Sequence, residues 1–224
     1  MQNIRVHQEL TAPHPAGKMT LPMIALIDYG SGNIRSVTKA LQHEGAPVEL
    51  CSTPEGLQHA DAVVLPGVGS FGDSVRNLQS RGLFEPLQEW LAADRPFLGI
   101  CLGYQLLFES SEESPGLPGF GKFKGRVQRF AQNGLKIPQI GWNALSLTQP
   151  EHALWRGLPA QPFVYFVHSY FPVPEDQSVI TSTADYGEVF AASAGRGRVA
   201  GVQFHPEKSQ GTGLAMLRNF LATL

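Results

Sequence analysis

Charge is scarce in this chain: Asp, Glu, Lys and Arg make up 16% of its 224 residues, and 17 basic side chains nearly balance 19 acidic ones. No dense Lys/Arg run supplies the field that a phosphate backbone or an anionic lipid surface recognises, so nucleic acid and membrane are excluded as first partners. Long apolar runs are missing too. No stretch approaches the 18 or more residues of a membrane span, and the leading residues mix His, Gln, Arg, Glu and Pro without the apolar centre of a secretory signal. Residues 1–22 read as a flexible tail. Cysteine is nearly absent: two residues, Cys51 and Cys101, cannot form a disulfide framework and point to a reducing cytoplasm.

Glycine and proline are plentiful, at 24 and 17 residues, and 42% of the chain is hydrophobic. This is the composition of short buried elements joined by tight turns rather than of a disordered chain. At this length one core can bury roughly 70% of the surface that the unfolded chain exposes. Residues 23–224 are therefore expected to form one domain.

The pattern begins with the apolar run Ile24 to Ile27, closed by the turn Tyr29-Gly30-Ser31-Gly32-Asn33. Ile34, Val37, Ala40 and Leu41 then follow helical spacing up to the stop signal Gly45. Strands are expected again at 48–51, 62–65 and 97–100, with a short helix over 54–59 and another over 84–93. Such alternation predicts an α/β fold, a mostly parallel sheet with helices on both faces. Beyond Glu113, β-rich pieces around 126–130, 142–147, 164–171, 179–183 and 189–193 are expected to extend the sheet or add an antiparallel layer. A final strand, 199–203, leads to His205-Pro206-Glu207, and a closing helix is expected over 212–221.

The segment Gly99-Ile100-Cys101-Leu102-Gly103 has the form G-x-Nuc-x-G, a nucleophile elbow with cysteine for serine, set between an apolar strand and an expected amphipathic helix. Side chains at either glycine would crowd the turn. A thiol at a helix N-terminus is expected to ionise below the usual value of about 8.5. A buried structural cysteine between two turn glycines accounts for the five residues equally well. Cys51 has no flanking glycine and reads as a small buried hydrophobe.

A thiol nucleophile wants a base and a group that orients it. Of seven histidines, His7 and His14 lie in the tail, and His43, His59 and His152 fall at helix ends or in loops, where solvation is expected. His205 follows a strand at the rim where α/β sheets place their sites. Glu207 lies at i+2, on the same side of an extended segment stiffened by Pro206, and can fix the imidazole tautomer. His205 and Glu207 could instead be two metal ligands, but no third ligand cluster accompanies them. His168 is the rival base; its strand reads as continuous, which favours a core or pocket-wall role. The loop Pro66 to Gly72 holds three glycines in the six residues Gly67 to Gly72. It can bring an oxyanion donor from Gly67 to Gly69 opposite the N–H of Leu102, each donor worth about 3 kcal/mol in acyl transfer. A phosphate loop or a plain turn remains open, though no G-K-[ST] follows, which excludes a Walker loop.

Together, Gly99 to Gln105 and His205-Pro206-Glu207 resemble the class I glutamine amidotransferases, a flavodoxin-like family with a Cys-His-Glu triad and no cofactor. Asp28 to Asn33, Pro66 to Gly72, Leu106 to Glu113, Gly141-Trp142-Asn143 and His168-Ser169-Tyr170 resemble a branch of it, the glutaminase subunits of imidazole glycerol phosphate synthases in histidine biosynthesis. The resemblance implies that Cys101, His205 and Glu207 are catalytic, with Val68 and Leu102 as oxyanion donors. Glutamine would be held by Gly67, Gly69, Gln105, Glu113, Ser169 and Tyr170, and a (β/α)8 cyclase partner would dock at Asn33, Trp142 and Lys208. Alternatives are a glutaminase subunit of another pathway, such as anthranilate or pyridoxal phosphate synthesis, a stand-alone thiol hydrolase, or a non-catalytic binding subunit. Gln139 departs from the branch, which often has His there, and the expected consequence is at the partner interface.

Overall fold

The computed structural model describes residues 21–132 and 134–224. The expected tail, apart from Leu21 and Pro22, lies outside the described residues. In chain order the regular elements are β1 (Ile24–Ile27), α1 (Ile34–His43), β2 (Val48–Cys51), β3 (Ala62–Leu65), α2 (Phe71–Ser80), α3 (Phe84–Ala92), β4 (Phe97–Ile100) and the single turn α4 (Leu102–Gln105). They continue with β5 (Ser110–Ser111), β6 (Gly125–Arg129), β7 (Gln139–Ala144), β8 (Ser146–Leu147), β9 (Phe163–His168), β10 (Tyr170–Pro174), β11 (Ile180–Asp185), β12 (Val189–Arg196), β13 (Val199–Val202) and α5 (Gln210–Leu221).

The main sheet runs β2-β1-β3-β4-β13-β12-β11-β8. Its first five strands are parallel and the remaining pairings antiparallel. Both forms of the expected extension occur: β12, β11 and β8 widen the sheet, while β10-β6-β5 and the β7-β9 ribbon stand as separate small sheets. β1, β3, β4 and β13 are buried along their whole length, so their unbroken apolar runs reflect cover on both faces. Alternate residues feed two cores. Ala25, Ile27, Val63, Leu65 and Phe97 pack with α2 and α3, whereas Ile24, Leu26, Val64, Leu98 and Ile100 pack with α1 and α5.

Three local readings need correction. The residues after Gly69 form the helix α2, which the loop glycines obscured. Ser70 caps it by accepting the N–H of Asp73 at 3.2 Å, and Phe71, Val75 and Leu78 are buried on one face. The expected amphipathic helix after Cys101 is one turn, α4, with all four residues buried. It ends because the chain turns into a new sheet, where the N–H of Glu109 donates to the Gly125 carbonyl. The segment 164–171 is not one strand. It breaks at Ser169, pairing first with β7 and then with β6. That break turns the chain across the end of the main sheet.

Candidate active site

Four adjacent parallel strands, β1, β3, β4 and β13, end on one rim. The residues that follow them, Asp28 to Asn33, Pro66 to Ser70, Cys101 and Gln203 to Glu207, therefore meet although they lie far apart in sequence. This is where open parallel sheets present their ligand crevices.

Cys101 has φ 53° and ψ −105°, a backbone conformation that a non-glycine residue adopts only when its surroundings enforce it. Those surroundings are visible: its N–H donates to the Val202 carbonyl at 2.8 Å, and its carbonyl accepts the N–H groups of Tyr104 and Gln105 at 3.1 Å. The flanking glycines are steric requirements. A Cβ on Gly103 would stand 1.9 Å from the Leu65 carbonyl oxygen, and one on Gly99 would stand 2.5 Å from the Gly103 oxygen.

Cys101 opens onto a cavity of about 260 Å³. Gly69, Gln105, Glu113, Ser169 and Tyr170 line it, as do Val68, Leu102 and His168. Gly67 does not; its carbonyl accepts the N–H of Leu102 at 3.4 Å, and a Cβ there would meet the Tyr29 hydroxyl at 2.4 Å. Both expected oxyanion donors are therefore occupied, because the N–H of Val68 donates to Ser31 Oγ at 3.3 Å. In this conformation neither N–H is free to meet an oxyanion. Glu113 also accepts the N–H of Phe71 at 2.7 Å, which ties the cavity wall to the first turn of α2.

His205 and Glu207 lie buried behind the cavity. His205 Nδ1 is 2.8 Å from Glu207 Oε1, which places the proton on Nδ1, since a carboxylate only accepts. Burial on its own would depress the imidazole pKa, but the Cys101 sulfur and the Glu207 carboxylate together push it up to about 10. Both neighbours therefore favour the protonated ring over the neutral one. Its Nε2 has no partner of hydrogen-bond geometry, yet Cys101 is near enough to act on the ring. The backbone around it is clamped: the N–H of His205 donates to the Tyr165 carbonyl at 2.9 Å, and Ser209 Oγ donates to the His205 carbonyl at 2.7 Å. With Nδ1 committed to Glu207, the pair is not arranged as two metal ligands.

The expected partner residues separate. Asn33 Nδ2 donates to Glu207 Oε1, so Asn33 is bound to the site itself. Trp142 is 47% exposed on β7, edge-on to Tyr165 of β9, and the Lys208 ammonium lies 5.9 Å from that Tyr165 ring. Ile140 and Phe163 are exposed on the same ribbon. Gln139, by contrast, is buried and faces inward, with its side chain 2.9 Å from His168 Nε2. The departure at Gln139 therefore touches the pocket wall and not the ribbon's outer surface. His168 is no base for Cys101: both ring nitrogens are engaged, Nδ1 with the Tyr170 carbonyl at 2.8 Å. Burial, opposed by that carbonyl and reinforced by the charge on His205, lowers its pKa to about 4. His152 is half-buried and caps a short turn by accepting the N–H of Leu154, unlike the exposed His43 and His59. Cys51 is buried and hydrogen-bonded to the Thr53 carbonyl, and burial pushes its thiol up to about 11.

Gln203 went unread beyond its place in a strand. Its side chain lies 3.7 Å from the Cys101 sulfur. The available signal was a long polar residue at the end of an otherwise fully apolar strand.

The profile of the family described as "Glutamine amidotransferase class-I" matches residues 25–224. The chain is 49% identical over 201 residues to the imidazole glycerol phosphate synthase subunit HisH of Trichodesmium erythraeum (89% of this chain, 94% of that one), and 48% identical over 207 residues to the HisH subunit of Methylococcus capsulatus (88% and 95%). Among solved structures, PurLQS from Thermotoga maritima aligns with a TM-score of 0.72 at 18% identity, covering 91% of this chain and 99% of that one. A structure described as a glutamine amidotransferase aligns at 0.71, also at 18% identity, covering 90% and 99%. At that identity these two structures speak to fold alone. The crevice on the rim of a largely parallel sheet and the match over residues 25–224 lead to one conclusion: the chain belongs to the class I glutamine amidotransferase family.

Proposed function

We propose that this protein is the glutaminase subunit of an imidazole glycerol phosphate synthase. The observation that carries the chemistry is the cavity that exposes Cys101 with His205 and Glu207 behind it. The near-50% identity to HisH subunits supports the choice of pathway. Glutamine enters with its γ-carboxamide at Cys101 and its α-ammonium and α-carboxylate among Gly69, Gln105, Glu113, Ser169 and Tyr170. The thiolate attacks the carboxamide carbon, giving a tetrahedral oxyanion. His205 gives a proton to the departing amine, the C–N bond breaks, and ammonia leaves a γ-glutamyl thioester on Cys101. His205 then takes a proton from water as water attacks the thioester, releasing glutamate and the thiol. Glu207 keeps the imidazole oriented and offsets its charge.

The ammonia passes to a (β/α)8 cyclase subunit, which makes imidazole glycerol phosphate and an aminoimidazole carboxamide ribonucleotide. The exposed apolar ribbon around Trp142, with Lys208 beside it, suits that heterodimer interface. Asn33 links Glu207 to the same loop whose Ser31 occupies the Val68 N–H, so a partner that moves this loop would act on oxyanion stabilisation and on the triad together. The occupied N–H groups of Val68 and Leu102 support a subunit that is slow by itself. The test is ammonia release from glutamine with and without the cyclase subunit and its nucleotide ligand. Low activity alone and a large rise in the complex are expected. Full activity of the isolated chain would refute the coupled reading, and glutaminase activity retained in Cys101→Ser would refute the nucleophile.

A further inference from the structure

Gln203 directly follows β13, is wholly buried, and has its backbone fixed by an N–H donated to the Ala192 carbonyl at 2.8 Å. A buried amide must find both a donor and an acceptor. Which end faces which partner follows from chemistry. Gln105 Nε2 lies 3.0 Å from the Tyr170 carbonyl oxygen, which only accepts, so that atom of Gln105 is its NH2 group. The Gln203 atom 3.2 Å from the same NH2 must then be the carbonyl oxygen. Gln203 is left presenting its own NH2 group to the Cys101 sulfur, 3.7 Å away. A neutral thiol accepts weakly, whereas a thiolate accepts strongly, so a fixed N–H donor favours the ionised nucleophile.

We infer that Gln203 is a further catalytic residue, whose amide donates to the Cys101 sulfur and ties the nucleophile to Gln105 on the wall of the glutamine cavity. The inference rests on the reading of Cys101 as nucleophile. The other titratable groups around that sulfur are His205 with Glu207 after β13, Tyr29 in the loop after β1, and Glu113 and His168 on the cavity wall. Burial holds Tyr29 and His168 in their neutral forms at neutral pH. His205 is therefore the group whose protonation supplies a cation, and Gln203 supplies a donor that does not titrate. Gln105, with both amide protons spent on Tyr170 and Gln203, presents an acceptor to the cavity, which suits the α-ammonium of glutamine.

Two variants of the full chain test this. Gln203→Glu keeps the shape and replaces the donor by an acceptor, adding a charge that itself opposes the thiolate; Gln203→Met keeps the length, removes the donor without adding charge, and its midpoint decides the question. The reading is the pH midpoint for alkylation of Cys101 by iodoacetamide, followed site by site by mass spectrometry. Both variants should raise the midpoint by about one pH unit, a tenfold loss of thiolate on the acid side. With the cyclase subunit present, kcat for glutamine hydrolysis should fall about tenfold in both variants, and KM should change little in Gln203→Glu, whose carboxylate still accepts the Gln105 amide. A folded variant with an unchanged midpoint overturns the role of Gln203, because a merely structural glutamine would change stability and leave the midpoint alone. Failure of the underlying reading looks different: Cys101→Ser would then still hydrolyse glutamine.

Discussion

Acidification should weaken this fold through His168, and the size of the effect follows from the ring's surroundings. His168 is buried among Phe130, Phe166 and Phe190, with ring centroids 5.1 to 5.5 Å away. Its two nitrogens meet the Tyr170 carbonyl and the Gln139 amide. The neutral ring donates from Nδ1 to the Tyr170 carbonyl, and Gln139 then serves it best by turning its NH2 group toward Nε2. Burial and the His205 charge hold the pKa at about 4, against about 6.5 in the unfolded chain. Between those values the unfolded state binds the extra proton. The contribution of His168 is therefore fully present above pH 6.5 and is lost as pH falls toward 4, at up to about 1.4 kcal/mol per pH unit and about 3 kcal/mol in all. His205 does not share this window. Its pKa is raised to about 10, so its contribution is complete below pH 6.5 and fades only as pH rises toward 10. The assay is urea unfolding of the wild type and His168→Gln at several pH values between 4 and 7.5. The variant is less stable at pH 7.5, and the gap should close by about 3 kcal/mol at pH 4. A gap that stays constant across that range would refute the argument.

Gly103→Ala should destabilise the protein by more than about 3 kcal/mol, because its Cβ would stand 1.9 Å from a backbone oxygen of β3; a wild-type melting curve would contradict this. Trp142→Ala should leave the melting temperature within about 2 °C, since the side chain is 47% exposed, while weakening association with the cyclase subunit at least tenfold in a titration monitored by calorimetry. Unchanged affinity would remove the β7-β9 ribbon from the interface. Cys51 should resist iodoacetamide at pH 7.5, its buried thiol being held at about 11, so native labelling should give one adduct per chain, and Cys51→Ala should leave that stoichiometry unchanged.

Much of the fold was legible because its signals are local. Ile24 to Ile27, Ala62 to Leu65 and Phe97 to Ile100 are apolar throughout, as strands covered on both faces must be. Cys101 stood out because a strained elbow needs glycine on either side. α2 was hidden because Gly67, Gly69 and Gly72 suggest a loop, although Ser70 caps a helix there. The break at Ser169 was illegible for a different reason: Val164 to Phe171 has strand propensity throughout, and only its change of partner from β7 to β6 splits it.

The sequence by itself determined which segments are buried strands, the elbow and the nearness of His205 to Glu207, because each depends on residues within a few positions of one another. The tertiary structure alone decided what those residues do to each other. It ties Asn33 to a carboxylate 174 residues away, turns Gln139 inward onto His168, brings Gln203 against the Cys101 sulfur, and spends the N–H groups of Val68 and Leu102 on Ser31 and Gly67. Hydrogen bonds across such separations have no periodicity to betray them. Those of Asn33, Gln203, Val68 and Leu102 exist because four parallel strands, distant in the chain, end side by side on one rim, and that of Gln139 because β7 pairs with β9.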